Sequence, residues 1–277
     1  MAQPQPLPPE FAEAFAHARP RFGRFASQVL FFHEVDSTNN VATTLASNGA
    51  CEGAVVVADA QTAGRGRRGR SWFSPPGAGL YVSLVLEPAT ATDRERATAL
   101  LTLAAGVALA EGIERATGFA PAIKWPNDLV AAGRKIAGIL AEGIVRPSST
   151  DPGNSYVAAV VLGYGINVST SAFPAELSDR ASSLEGELGR AVDRAQLCAE
   201  SIAAMAARYS DLLAGRFDAI LDAWHARAPG SRGARVQWET PGGVRSGTTD
   251  GVDRMGALLV RTGGATERLV AGEVTWA

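Results

Sequence analysis

The segment at residues 64–72, Gly-Arg-Gly-Arg-Arg-Gly-Arg-Ser-Trp, most strongly constrains what this chain can fold into. Its glycines have the spacing of a dinucleotide-binding turn, which must open a long helix directly after a strand. Pro75 and Pro76 follow almost at once, and prolines cannot form the interior of such a helix. The segment, called the arginine loop below, therefore predicts a ligand-binding loop outside a dinucleotide-binding fold.

The arginine loop is suited to an anionic ligand. Glycine lets backbone N–H groups approach a ligand closely, and guanidinium groups make paired hydrogen bonds to carboxylate or phosphate oxygens. Two alternatives stay open from this segment alone: a solvated basic turn, or a nucleic-acid contact in which Trp72 stacks on a base. The net charge of only −2 over 277 residues argues against a protein that coats nucleic acid.

The distribution of apolar residues predicts an α+β domain. Short β-rich runs bounded by turn residues should form strands of one sheet, at residues 29–35, 54–58, 80–86 and 157–162. Thr92 and Glu95 have the spacing of a capping box before a long helix that ends near Gly118, and Asp193 with Gln196 predicts the start of a second. Interleaved helices and strands indicate a mixed sheet with flanking helices.

Three regions follow from the composition along the chain. Residues 1–27 are proline-rich and predict a flexible leader into a short docking helix around Phe11 and Phe15. Residues 28–229 form the predicted main domain. Residues 230–277 consist of short apolar runs cut by glycine pairs, which predicts a small β-barrel.

A second candidate site lies at residues 124–130 (KWPNDLV) and 134–142 (RKIAGILAE), which together are typical of a hairpin. Lys135 enters an apolar strand, where an ammonium group is costly unless it meets an anion. A ligand carboxylate or phosphate would supply that anion. The alternative is that Lys135 extends to the surface and the Pro-Asn-Asp turn is only structural.

The remaining signals are weaker. Gly163, Gly165 and Asn167 end a strand in a way that lets a ligand lie against backbone, although a simple bulge would give the same pattern. Two cysteines, Cys51 and Cys198, and three histidines are scattered without the spacing of metal ligands. We therefore expect structural thiols and no metal held by the protein.

At these segments the chain resembles the biotin protein ligases, which attach biotin to a lysine of carboxylase carrier domains. Six motifs carry the resemblance in order: residues 36–40 (DSTNN), 61–67 (QTAGRGR), 79–83 (GLYVS), 124–128 (KWPND), 134–138 (RKIAG) and 163–167 (GYGIN). The resemblance covers residues 28–277. It implies the family's catalytic fold, which is similar to class II synthetases, and a small SH3-like C-terminal domain.

The resemblance also implies roles for individual residues. The catalytic cations would be Lys135, Arg65 and Arg67. Biotin would be bound by Ser37, Thr38, Asn39, Gln61, Arg65, Gly66, Arg67, Tyr81, Ser83, Lys135, Gly163 and Gly165, with Leu80 beside Tyr81 and Ser83 on its apolar side. ATP would be bound by Arg67, Trp72, Asn127, Asp128, Lys135 and Asn167.

Substrates and partners follow from the same resemblance. ATP and biotin would be the substrates, Mg²⁺ would arrive with ATP, and a biotin carboxyl carrier domain would be the protein partner. The family's two-function members carry an additional winged helix, and the short leader here predicts no operator binding. We further expect a cytoplasmic protein, monomeric or weakly dimeric, without membrane contact. Lipoate or octanoate transfer on the same fold is the alternative activity.

Overall fold

The structure is a computed structural model that describes residues 3–48, 52–147 and 155–276. A mixed sheet forms its centre, with strands β1 (Gln28–Val35), β2 (Ala54–Gln61), β3 (Gly79–Leu86), β4 (Ala122–Lys124), β5 (Asp128–Ala131), β6 (Arg134–Pro147) and β7 (Ser155–Asn167). They are hydrogen-bonded in the order β1-β2-β3-β7-β6-β5-β4. Among these seven described strands, β1 and β2 form the one parallel pair. The four predicted strands and the α+β class are confirmed.

Helices cover both faces of this sheet, namely α1 (Pro9–Ala18), α2 (Thr38–Ser47), α3 (Arg94–Thr117), α4 (Leu184–Leu188), α5 (Arg194–Leu213) and α6 (Phe217–Arg227). Successive residues of a strand point to opposite faces. In β2, Val55 and Val57 accordingly belong to the large core under α3 and α5, whereas Val56 packs in a smaller cluster with Ala42 of α2. The sheet is buried on both faces, and α2 is the helix on the smaller side.

The two long helices begin at acidic caps. Asp193 accepts hydrogen bonds from the N–H groups of Ala195 and Gln196, as predicted for the start of α5. For α3 the predicted capping residue was Thr92, but the cap is Asp93, whose carboxylate accepts from the N–H of Arg96 at 3.0 Å. A carboxylate three residues before that N–H reaches it directly, so the helix begins one residue later than expected. Gly118 ends α3 in the left-handed conformation, as predicted.

The amino-terminal segment is not a free leader. Phe11 and Phe15 of α1 are buried in the main core, and Phe22 and Phe25 follow them there. The backbone N–H of Gln5 also donates to the carbonyl of Phe31 at 2.8 Å, which pairs the segment with the open edge of β1. The predicted docking helix around Phe11 and Phe15 is confirmed as α1. The predicted flexibility is wrong for the described residues that flank it, because four phenylalanines give this proline-rich stretch enough apolar surface to pack.

The C-terminal region is a second, five-stranded antiparallel sheet. Its strands are β8 (Arg232–Thr240), β9 (Gly243–Val252), β10 (Leu258–Thr262), β11 (Ala265–Leu269) and β12 (Val274–Trp276), in the order β11-β10-β9-β8-β12. A short 3₁₀ turn at Pro229–Ser231 joins it to α6. The indole N–H of Trp125 donates to the carbonyl of Gly256 at 3.0 Å and so links this sheet to the main domain.

Helix α3 is the one described helix whose length and composition would allow it to cross a bilayer. Within this protein 72% of its most apolar window is buried, which is the pattern of a core helix. Cys198 of α5 is a free, fully buried thiol, and burial raises its pKa well above the ordinary value. Cys51, the other predicted structural thiol, lies outside the described residues.

Candidate active site

The arginine loop leaves β2 and folds back on itself instead of opening a helix. The N–H of Gly66 donates to the carbonyl of Arg70 at 2.6 Å, and the N–H of Trp72 donates to the carbonyl of Gly64 at 2.8 Å. A side chain at Gly64 would stand 2.4 Å from the Trp72 carbonyl oxygen, so the close return requires glycine there. This geometry agrees with the exclusion of a dinucleotide-binding turn.

A chain of polar groups lies where α2 meets β2 and β3. The Ser83 hydroxyl donates to Asn39 Oδ1, with Oγ and Oδ1 separated by 2.6 Å, and its oxygen is 2.8 Å from Thr38 Oγ1. Gln61 Oε1 accepts from the N–H of Thr38 at 2.9 Å, and Gln61 Nε2 donates to Ser74 Oγ at 2.9 Å. Thr38, Asn39 and Ser83 are all buried. These hydrogen bonds hold the groups in fixed orientations before any ligand arrives.

Glycines on β6 and β7 form a floor under these side chains. A Cβ on Gly163 would stand only 1.9 Å from Asn39 Oδ1, and one on Gly165 would stand 2.5 Å from the indole nitrogen of Trp72. A Cβ on Gly138 would lie 3.1 Å from the same indole ring. The Asn39 amide and the Trp72 ring therefore rest directly on backbone. We call Gly138, Gly163 and Gly165 the glycine floor.

Two cations stand beside the floor, each with a neighbour from the KWPND segment. Lys135 Nζ is 2.6 Å from Asp128 Oδ1 and 5.3 Å from the centre of the Trp72 ring. Arg67 donates to Asn127 Oδ1 at 2.8 Å, and burial lowers the pKa of its guanidinium. Asp128 on the adjacent strand therefore supplies an anion to Lys135 in this structure, where the sequence analysis expected a ligand carboxylate or phosphate.

Two cavities meet at these cations. The narrow cavity has a volume of about 40 Å³ and the wide cavity about 710 Å³. Predicted site residues lining the narrow cavity are Ser37, Thr38, Asn39, Gln61, Arg65, Gly66, Arg67, Trp72, Asn127, Lys135, Gly163 and Gly165. The wide cavity is lined by Gly66, Arg67, Trp72, Asn127 and Lys135 again, and by Asp128 and Asn167. Arg67 and Lys135 border both spaces.

Three residues predicted to lie beside biotin, Leu80, Tyr81 and Ser83, line neither cavity. Tyr81 is buried, its hydroxyl donates to the carbonyl of Pro75 at 3.2 Å, and burial raises its pKa well above the usual value. Leu80 points to the opposite face of β3, into the core under α3 and α5. Ser83 sits one layer behind the cavity wall, where it holds Thr38 and Asn39. Tyr81 and Leu80 therefore contribute to packing. Tyr81 is covered by the segment that returns from the arginine loop, and Leu80 lies in the core.

Two acidic residues beside the site were not predicted. Glu142 Oε2 accepts from Asn39 Nδ2 and from an Arg65 NH2 group, both at 2.6 Å. Glu273, in the C-terminal region, pairs with Arg70 and so fastens the arginine loop from the other side. The hydrogen bond from Arg70 lowers the pKa of the Glu273 carboxyl. Glu142 carried a readable signal, since it follows Gly138 and Leu140 with the period of two that defines one strand face.

Comparisons with known proteins agree with this arrangement. The model of the biotin/lipoate A/B protein ligase family matches residues 31–166. The biotin–[acetyl-CoA-carboxylase] ligase of Paracoccus denitrificans is 37% identical over 86% of this chain and 96% of its own, and the bifunctional ligase/repressor BirA of Bacillus subtilis is 37% identical over 92% of this chain and 77% of its own.

A solved structure extends the match to the fold. The biotin protein ligase from Aquifex aeolicus in complex with biotin and ATP superimposes with a TM-score of 0.74 at 27% identity, covering 91% of this chain and 99% of the other. The chain belongs to the biotin/lipoate A/B protein ligase family.

Proposed function

We propose that this protein is a biotin protein ligase, which activates biotin with ATP and transfers it to a lysine of a carrier domain. The observation that carries the proposal is that Arg67 and Lys135 border both cavities. A small acid in the narrow cavity and a nucleotide in the wide cavity would thus meet between two fixed cations. The relatives named as biotin ligases support this choice of acid.

The first step joins the two substrates. A carboxylate oxygen of biotin attacks the α-phosphorus of ATP, the bond from that phosphorus to the bridging oxygen breaks, and pyrophosphate leaves with the bonding electron pair. Negative charge concentrates between the reacting groups, where fixed cations lower the barrier most. Lys135 supplies a compact ammonium at the junction of the cavities, and Arg67 supplies a planar donor from the loop above it. Asp128 orients Lys135 through their 2.6 Å ion pair until the anions arrive.

The second step makes the product. A neutral lysine amine of the carrier attacks the acyl carbon of biotinyl-AMP, an amide forms, AMP leaves and the nitrogen releases a proton. The mixed anhydride must be kept from water until the carrier arrives. The arginine loop suits this task because it covers the junction and is fastened to β6 by Glu142 and to the C-terminal region by Glu273.

The entry of biotin requires this cover to move. A free volume of about 40 Å³ is far below the roughly 300–1,000 Å³ of typical ligand pockets. Trp72 occupies the space above Gly138 and Gly165, and its buried indole N–H has no hydrogen-bond partner among the described residues. We assign the opening step to the arginine loop, which carries Trp72 away from the glycine floor.

Magnesium, the acceptor protein and the cellular location complete the proposal. Mg²⁺ would enter with ATP, and we assign its coordination mainly to the phosphates, because the described residues hold no group of three or more His, Cys, Asp or Glu suited to a metal. The biotin carboxyl carrier domain of a carboxylase is the proposed acceptor, and the cytoplasm the proposed location.

Biotin-dependent exchange of labelled pyrophosphate into ATP tests the proposal directly. The purified protein should catalyse exchange with biotin and should then label an acceptor carrier domain. Lipoate replaces biotin in the matched reaction, since the family includes lipoate ligases. Exchange with lipoate and none with biotin would overturn the choice of substrate, and exchange with neither would overturn the proposed activity.

A further inference from the structure

The carboxylate of Glu142 joins two parts of the site that the sequence places far apart. Glu142 lies on β6, Asn39 on α2 and Arg65 in the arginine loop. One oxygen, Oε2, accepts hydrogen bonds from both of these side chains at 2.6 Å. The Glu142 side chain is 35% exposed, and isolated ion pairs at such positions contribute little to stability. Its shared contacts suggest a role in orientation rather than in folding.

The contact with Glu142 fixes the direction of the Asn39 amide. A carboxylate can only accept hydrogen bonds, so the Asn39 NH₂ group must face Glu142 and its oxygen must face away. That oxygen accepts from the Ser83 hydroxyl at 2.6 Å and lies against the backbone of Gly163. Asn39 is therefore held as an acceptor in the wall of the narrow cavity. A cyclic urea, such as the ring of biotin, presents N–H donors that match an acceptor.

The same carboxylate holds the arginine loop near this wall. Among the described residues, the Arg65 guanidinium donates to the side chain of Glu142. The loop backbone at Arg65 also bridges to Ser71, so a change at Arg65 is passed to the neighbourhood of Trp72. Loss of the Glu142 carboxylate would thus displace both the Asn39 amide and the arginine loop.

We propose that Glu142 is a positioning residue that couples recognition of the ureido ring to the seating of the arginine loop. This inference rests on the proposed function. It acts through Asn39 and Arg65 and touches neither reacting group. Its removal should weaken biotin binding selectively, because the wide cavity is lined by other residues.

The test compares Glu142→Gln with wild type in biotin-dependent pyrophosphate exchange. Glutamine has the size of glutamate, but its amide can pair with either the NH₂ group or the oxygen of Asn39 and so no longer fixes the direction of that amide. We expect the KM for biotin to rise about tenfold while the KM for ATP stays within about twofold. Desthiobiotin, which keeps the ureido ring, should show the same rise. The control is Glu114→Gln, which removes a surface ion pair to Arg227 and should change neither KM.

A double-mutant cycle distinguishes positioning from a general effect. In an Asn39→Ser background, Glu142→Gln should raise the KM for biotin clearly less than it does in the wild type, because only the contact to Arg65 is then left to lose. Additive effects, or a wild-type KM in Glu142→Gln, would overturn the role of Glu142 while leaving the proposed function in place. Wild-type protein without biotin-dependent exchange would overturn the proposed function, and this inference with it.

Discussion

The two ends of the cleft solve different binding problems with different materials. At the narrow end, Thr38, Asn39, Gln61 and Ser83 are tied to one another by hydrogen bonds over a floor of glycines. At the wide end, the cations Arg67, Arg68, Lys124 and Lys135 surround an open cavity of about 710 Å³. Prearranged neutral groups suit a small rigid ring, whereas distributed charge suits a flexible polyphosphate. The shape of the narrow end thus selects one substrate, and the positive charge of the wide end attracts the other.

Removing the cation at the junction should have the largest effect. Lys135→Ala takes a fixed positive charge from the place where both substrates react, so we expect biotin-dependent pyrophosphate exchange to fall by about 10²–10³-fold or more. The fold should persist, because the Lys135 side chain is partly exposed and lies outside both apolar cores. Circular dichroism checks the fold. A wild-type exchange rate would contradict the placement of Lys135 at the reacting centre.

Filling the glycine floor should damage the narrow end alone. Gly163→Ala places a methyl group 1.9 Å from the present position of Asn39 Oδ1, so the amide must move. We expect the KM for biotin to rise by about 10²-fold and the KM for ATP by about twofold at most. Gly143→Ala is the matched control on β6, since its new Cβ meets only Val157 at ordinary distances of 3.5 and 3.7 Å. Equal effects on both KM values would show that the two ends are not separable.

Weakening the loop should expose the intermediate rather than abolish its formation. Arg67→Gly removes the hydrogen bond to Asn127 and a side chain that borders both cavities. The retention time of biotinyl-AMP on the protein should shorten by about tenfold, because the intermediate can then leave the site and water can enter it. Rapid filtration after a single turnover measures this time. An unchanged retention time would contradict the covering role of the loop.

The wide end should also respond to alkaline pH, with the smallest effect. Burial, and then the nearby charge of Lys135, lower the pKa of Lys124, while Asp128 opposes the shift. Lys124 therefore loses its proton at lower pH than an ordinary lysine, and the cavity becomes less positive as pH rises. We expect the KM for ATP to increase about two- to threefold on going from neutral to about pH 10, and less in Lys124→Arg. The KM for biotin should change little over the same range.

The difference between the two ends also explains what could be predicted from the sequence. Most predicted site residues line the cavities because each motif is contiguous and falls at the end of a strand or in a loop, where local chemistry is visible. Tyr81 was misplaced because its strand period gives the correct face but not what covers that face. Its cover is the carbonyl of Pro75, on a segment that returns from the arginine loop.

The pairing of side chains between elements, near or far in the sequence, was the part that could not be predicted. Asp128 compensates Lys135 only because β5 and β6 lie side by side, and Glu142 reaches Asn39 across 103 positions of sequence. The amino-terminal segment was predicted correctly only in part. Its prolines wrongly indicated flexibility, whereas Phe11 and Phe15 correctly predicted the docking helix α1.

The packing of that segment has a practical consequence for anyone who shortens the chain. Cutting before Gln28 would bare the pocket that now receives Phe11, Phe15, Phe22 and Phe25, and would unpair the outer edge of β1 at Phe31. An exposed apolar surface next to an unpaired strand edge promotes aggregation. A version without these residues should therefore precipitate more readily than the 277-residue chain.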